Sequence, residues 1–348
     1  MQLNLYKQSL NKVKRIFFSI VVLLIITAFG DIQAQNVNLK TNAKTLTYEL
    51  LYDTPYDINK LFVHVQPMYG EYFETNTTIG WGIKAHYYWK NIADFEAQVR
   101  GPYARTFDIT RHAAFKNGTV DNEARPYIYY EFAGTYHIKD DERDTETKFI
   151  LYSNRYKGDK WAATVPLHTI IPTKVRRIIG GRLGGIAYNT SIDLNRIMDK
   201  QGVTLIGDDG GEIGEYESVY GNISVIGFFA GASMTWIKNV AVHPEKIYGT
   251  LVNDLIFTTF LDINYAPVIT VDDIYNDGVR YASETIEQNA LGVRAGFEGK
   301  FNRKFSWAYG GEIGYRPGLK KSGLFVNAKI SFPVFGTQLR YQVESFGK

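Results

Sequence analysis

The chain has 348 residues, 39 Lys and Arg against 36 Asp and Glu, no cysteine, 32 glycines and 45% hydrophobic residues. Such a composition can bury a core, so disorder is excluded, and the lack of cysteine excludes disulfide frameworks, zinc–thiolate sites and thiol nucleophiles. A helical membrane protein is excluded as well, because the one long apolar run lies at the N-terminus.

Lys7, Lys12, Lys14 and Arg15 precede an apolar run from Ile16 to Phe29, and Ala34 offers a small residue before Gln35. This layout predicts a secretory signal peptide over 1–34, cleaved after Ala34. The competing reading is an uncleaved anchor. A helix of that run rises only about 21 Å, short of the ~30 Å hydrocarbon core. The Ala-Gln ending resembles leaders common in Bacteroidota. Cleavage would remove four bases and one acid, Asp31, and leave 35 of each. A neutral mature chain argues against nucleic acid as a partner.

Beyond the leader the dominant signal is alternation with period two, in segments of about 10–14 residues. In 77–89 the odd positions carry Ile79, Trp81, Ile83, Tyr87 and Trp89, and the even ones Gly80, Gly82, Lys84 and His86. In 92–103 Phe95, Ala97 and Val99 alternate with Asp94, Glu96, Gln98 and Arg100. The C-terminal third repeats the pattern: Leu291, Val293 and Phe297 against Arg294 and Glu298, then Tyr309 and Ile313 against Glu312, then Val326 and Ile330 against Lys329, then Leu339 and Tyr341 against Arg340 and Glu344.

A soluble β-sandwich would turn the apolar set inward; a transmembrane barrel would turn it to lipid and line its lumen with the polar, glycine-rich set. Strand length, aromatic clusters at strand ends and the export signal favour the barrel. Gly336-x-x-Leu339-x-Tyr341, running on to Phe346, resembles the C-terminal targeting strand of outer-membrane β-barrel proteins of Gram-negative bacteria. The resemblance implies a transmembrane antiparallel up-and-down β-barrel in the outer membrane, with lipid and other outer-membrane proteins as partners.

Thirteen candidate strands are 61–73, 76–89, 92–103, 127–138, 146–154, 160–171, 175–189, 218–237, 251–269, 285–299, 304–315, 321–333 and 336–346. Segment 238–250 supplies a fourteenth, and twelve strands is the alternative, since single-chain barrels are even-numbered. The predicted organisation is a leader over 1–34, a short periplasmic segment over 35–60 and a barrel over 61–348. The long connections 104–126 and 190–217 then fall outside the cell, and 270–284 falls on the periplasmic side. So short an N-terminal segment leaves no room for a plug domain.

Lys84, His86, Asp94, Glu96, Arg100, Glu131, His137, Arg294, Glu298, Glu312, Lys329, Arg340 and Glu344 are the candidate lumen-lining residues. Both signs occur in similar numbers, which favours cross-barrel ion pairs over a strongly ion-selective constriction. Three further features have bland readings. Gly80-Trp81-Gly82-Ile83-Lys84-Ala85 fits a dinucleotide pattern only by chance, because no helix follows it. Lys139 to Asp144 is expected to be a solvated hairpin tip. Gly180-Gly181-Arg182-Leu183-Gly184-Gly185 is expected to make room for something bulky in the lumen.

No catalytic residue, metal or cofactor is expected. Calcium at the acidic loops Asp208–Glu212 or Asp272–Asp277 is the alternative, although neither fits the EF-hand register. The leading functional reading is a passive or weakly selective channel for small solutes. The alternative is a non-conducting barrel serving as scaffold or accessory subunit of an outer-membrane complex. A barrel lipase, acylase or protease is a third reading, for which no serine–histidine signature is found.

Overall fold

The computed structural model describes residues 47–73, 76–103, 120–150, 168–213, 219–244, 249–303 and 306–337. The leader, the segment beyond 337 with Arg340 and Glu344, and most of 104–126 lie outside the described residues.

The elements in chain order are β1 (Tyr48–Asp53), β2 (Leu61–Phe73), β3 (Asn76–Trp89), β4 (Ala93–Pro102), β5 (Ile128–Ile150), β6 (His168–Asp193), α1 (Leu194–Gln201), β7 (Tyr220–Ile237), β8 (Val240–Pro244), β9 (Leu251–Asn253), β10 (Leu255–Val271), β11 (Ile274–Asn276), β12 (Val279–Tyr281), β13 (Gln288–Asn289), β14 (Leu291–Phe301), β15 (Ala308–Tyr315), β16 (Gly318–Leu319) and β17 (Leu324–Gly336). Ten of them close a ring in the order β2-β3-β4-β5-β6-β7-β10-β14-β15-β17, and β17 pairs back onto β2. Every neighbouring pair is antiparallel, so the path is up-and-down and no barrel edge is left unpaired.

The ring holds ten strands among the described residues, where the sequence suggested fourteen or twelve. Segments 127–138 and 146–154 merge into β5, and 160–171 and 175–189 into β6. These two strands pair from Ile128↔Asn189 to Ile150↔His168, with one register shift between His137 and Lys139. Lys139 to Asp144 therefore lies inside a ladder rather than at a hairpin tip. The acid-rich stretch reads as a turn in sequence, but Arg177, Arg176 and Lys174 stand opposite Asp141, Glu142 and Asp144 and compensate it. Segment 238–250 leaves the barrel: β8 forms a separate three-stranded sheet with β1 and β9. The last segment, 336–346, falls almost wholly beyond the described residues, and β17 already closes the ring.

Losing 238–250 as a barrel strand also moves 270–284. The connection from β10 to β14 emerges at the same end as the one from β6 to β7, opposite to the side expected for it. The two connections pack together there. Gly207 bridges to Tyr281, and Gln201 Nε2 donates to the Glu287 carbonyl at 3.0 Å. Ile197, Leu205, Ile274, Tyr281, Ile286 and Leu319 share one buried cluster across this end. α1 is held in place by its ends: the Asp193 carboxylate accepts from Arg196 N, and Gly202 closes the C-terminus at φ 74°.

At the opposite end β5 and β6 run past their neighbours. β4 pairs with β5 only as far as Tyr136, and β7 with β6 only as far as Arg176. The projecting ribbon packs Phe149 and Ile171 against Val240 and Val242 of β8. A folded module outside the barrel results.

Candidate functional site

The side chains of the barrel are distributed inside out. Trp81, Ile83, Phe132, Leu183, Ile226, Phe228, Leu261 and Ile263 are exposed on the outer wall, whereas Lys84, Arg100, Glu131, Asp262, Arg294 and Glu312 are buried within. A sandwich core would show the reverse. Three strands carry outward aromatics eight residues apart: Trp81 and Trp89, Phe228 and Trp236, and Phe257 and Tyr265. Eight residues of strand span about 26 Å, close to the ~25 Å apolar band of a membrane barrel before allowance for strand tilt.

Of the thirteen lumen-lining candidates, the eleven among the described residues all face the interior, because their positions share one parity of each strand. They meet one another across it. Arg294 on β14 clasps Glu131 on β5 with Nη1 at 2.8 Å and Nη2 at 2.7 Å. Arg100 on β4 reaches Glu312 on β15 at 2.6 Å, and Lys84 on β3 reaches Glu298 on β14 at 2.5 Å. In each case three strands lie between the partners by the shorter way round the ring and five by the longer. These bonds are struts across the lumen.

The pairs join into a network. Arg294 Nε also donates to Asp262 at 3.0 Å, and Arg182 holds the other oxygen of Asp262 at 3.2 Å. Gln98 and Tyr129 each donate to Glu131 at 2.7 Å. Lys329 lies 3.3 Å from Glu298, and Lys84 3.2 Å from Glu96. Nearer the module end, the Lys300 ammonium donates to His86 Nδ1, which leaves His86 Nε2 as the donor to Asp94 Oδ1 at 3.1 Å. His137 Nε2 meets the second oxygen of Asp94 at 2.9 Å. Nearer the capped end, Arg316 holds both oxygens of Glu71.

Seven cations (Lys84, Arg100, Arg182, Arg294, Lys300, Arg316, Lys329) thus face seven carboxylates (Glu71, Asp94, Glu96, Glu131, Asp262, Glu298, Glu312). An unpaired charge in such an interior costs several kcal/mol, so the equal numbers are what lets the lumen fill with charge at all. Clusters of buried apolar and aromatic side chains lie at both ends of the charged column. Phe62, Tyr88, Ile178, Ile237 and Ile256 cluster at the module end. Tyr69, Tyr127, Tyr129, Tyr188 and Phe229 join the cap cluster at the other.

Five members of this network were not among the candidates. Glu71 follows a register shift between Gln66 and Tyr69, which reverses the parity of β2. Arg182 is isolated among glycines, and Arg316 lies just past the end of β15. Asp262 and Lys300 follow the alternation of β10 and β14 and were legible there. The expected room at Gly180–Gly185 is found at Gly184, where a Cβ would lie 2.4 Å from the Phe229 ring.

His86, Asp94 and Glu96 bring possible metal-ligating atoms within 4.8 Å of one another. Lys300 already supplies a cation to His86 there. The acidic loops meet protein partners too. Asp272 pairs with Arg125 at 3.0 Å. Asp273 pairs with Arg280 at 2.7 Å and accepts from Ser283 N at 3.0 Å. Asp209 accepts from Gly211 N at 2.9 Å. The Ser283 amide, with Arg280 beside it, holds the Asp273 carboxyl below the ordinary carboxylate range against the opposing effect of burial. Among the described residues, the hydroxyl–histidine contact is Thr250 to His243, a long 3.5 Å at an exposed position of the outer module.

This chain is a closed antiparallel β-barrel with an apolar outer wall. No family model matches it, and no curated protein matches it. Among solved structures it is similar to a loop-deletion mutant of OmpT, an outer membrane protein of Vibrio cholerae, at 10% identity over 80% of this chain and 100% of that one, with a TM-score of 0.17. So low a score carries no argument, and the reading rests on the barrel's own geometry.

Proposed function

We propose that the chain is an integral outer-membrane barrel that does not conduct, and that it serves as a scaffold or accessory subunit presenting the module built from β1, β8, β9 and the β5–β6 ribbon. The observation that carries this reading is the set of struts Arg294–Glu131, Arg100–Glu312 and Lys84–Glu298, which span the lumen at successive levels between two apolar clusters. Eight strands leave an interior that side chains just fill, and ten leave little more. A channel, the leading expectation from sequence, needs a continuous water path, and bonds that cross the lumen at several levels favour the non-conducting reading instead. The module adds support, because pore-forming barrels carry short turns at one rim and this rim carries a folded sheet. Export and cleavage after Ala34 belong to the same proposal.

The test is conductance of the folded full chain in a planar lipid bilayer. Silence is expected from protein whose barrel is verified by heat-modifiable migration. Discrete steps that scale with salt would overturn the sealed-lumen reading.

A further inference from the structure

The guanidinium of Arg316, just beyond the end of β15, lies inside a cage of aromatic rings. Its Cζ is 4.1 Å from the ring centroid of Phe325, 5.1 Å from Tyr129, 5.5 Å from Phe73, 5.6 Å from Tyr188 and 5.9 Å from Tyr127. The rings come from β17, β5, β2 and β6 and from the residue preceding β5. They brace one another, Phe73 edge-on to Tyr188 and Tyr127 stacked on Tyr129. The floor is Glu71, which takes two N–H bonds from Arg316 and an O–H bond from Tyr69 at 2.5 Å.

Rings whose faces surround a cation, with a carboxylate to receive two parallel N–H bonds, are the chemistry by which proteins select organic cations. A buried arginine is not required for stability alone, since a well-packed apolar group of similar volume serves as well or better. The cage also lies at the capped end, and its occupant arrives on a strap. Residues 316–323 are tied at their base by Arg316 N to the Gly323 carbonyl at 2.7 Å, and Gly318 at φ 149° adopts a conformation that favours glycine. The strap is held to the cap by Tyr188 OH donating to the Pro317 carbonyl at 2.5 Å, by the pairing of β16 with β13, by Lys320 N to the Glu287 carbonyl at 3.0 Å and by the buried Leu319.

We propose that Glu71, Tyr69, Phe73, Tyr129, Tyr188 and Phe325 form a binding site for a small cation of the guanidinium class, occupied in this state by the chain's own Arg316. The paired N–H bonds to Glu71 select guanidinium over quaternary ammonium, which has no N–H to give. Displacement of the strap would open the site from the capped end. The proposal is independent of whether the lumen conducts.

The test uses the full chain folded in detergent micelles, with Arg316→Ala to vacate the cage. Methylguanidinium chloride is the probe, and tetramethylammonium chloride and sodium chloride at equal ionic strength are the controls. A saturable rise in Tm is expected for Arg316→Ala with methylguanidinium and with neither control, because a ligand that binds only the folded state stabilises it. The unsubstituted chain, whose cage is filled, should not respond. Adding Glu71→Gln should weaken the response about tenfold or more, the loss of charge-assisted bonds. No saturable rise, an equal rise in the unsubstituted chain, or an equal rise with tetramethylammonium would overturn the proposal. If Arg316→Ala does not fold alone, its folded yield with and without methylguanidinium is the readout, and an unchanged yield overturns it.

Discussion

Replacing Arg294 with alanine tests whether the lumenal network holds the barrel together. Arg294 supplies two N–H bonds to Glu131 and one to Asp262, and its guanidinium lies over the rings of Phe229 and Phe260. Removing one partner of a buried pair costs about 3–5 kcal/mol, because the remaining charge is left uncompensated. Two features pull the value toward the lower end of that range. Asp262 keeps Arg182 at 3.2 Å, and Glu131 keeps Gln98 and Tyr129. We therefore expect a loss of about 3 kcal/mol, the lower limit of that range. The companion variant Arg294→Met with Glu131→Gln removes both charges together and should cost much less than the sum of its two single changes, since neither partner is stranded. The assay is reversible urea unfolding in lipid vesicles, followed by tryptophan fluorescence, with the two single variants and the double variant forming a cycle. A cost under about 1 kcal/mol for Arg294→Ala, the median worth of an exposed pair, would refute the reasoning. So would strictly additive effects in the cycle.

Three further outcomes follow from other parts of the barrel. Leu261 lies outward midway between Phe257 and Tyr265, so Leu261→Arg should cost about 2–4 kcal/mol in the same vesicle assay, the penalty of a basic group at mid-membrane depth; a negligible cost would place that wall away from lipid. Gly184→Ala would set a methyl 2.3 Å from the Phe132 carbonyl oxygen and 2.4 Å from the Phe229 ring, so we expect about 1–3 kcal/mol of destabilisation, read as a lower urea midpoint. Asp273 is held below the usual carboxylate range by the Ser283 amide and Arg280, so its contribution to the cap is complete above the unfolded value of about 4 and is lost as pH falls through the lower folded value. Limited proteolysis of the cap should accelerate as pH falls below about 4 in the unsubstituted chain, and Asp273→Asn should flatten that dependence.

The alternation made the architecture legible, because it carries two kinds of information at once. Period two gives strands, and the segregation of Trp81, Ile83 and Phe95 from Lys84, Asp94 and Glu96 gives two faces. Which face points inward is not in the period, and strand length, aromatic clusters at strand ends and the export signal had to decide it. Strand number was the least legible quantity. β5 and β6 extend past their neighbours; the projecting part of β5 is densely charged and that of β6 carries Pro172, so each long strand reads as two short ones. β8 fails in the opposite direction, since Val240 to Val242 look like barrel strand but pair with β1. The site was legible wherever a strand keeps strict register, as in β3, β4, β14 and β15. It was lost where a register shift reverses parity, at Glu71, and where the residue lies past a strand end, at Arg316.

The lumen's content follows from what lies outside the barrel. In the outer-membrane setting proposed above, lipid would take up the apolar wall, so folding would gain nothing by adding more apolar surface within, and the interior can be polar where its groups are paired. Satisfaction there is geometric as well as electrical. Arg294 reaches Glu131 because β14 and β5 face each other when the ring has ten strands; a slip of one residue in any ladder would turn a charged row to lipid and break a strut. The network therefore acts on register as much as on stability, and it explains why cations and carboxylates alternate around the ring instead of segregating to one wall. Glu312 meets Arg100 from across the lumen while Glu298 meets both Lys84 across it and Lys329 beside it, so on the sealed-lumen proposal parting these pairs would strand a buried charge on each side.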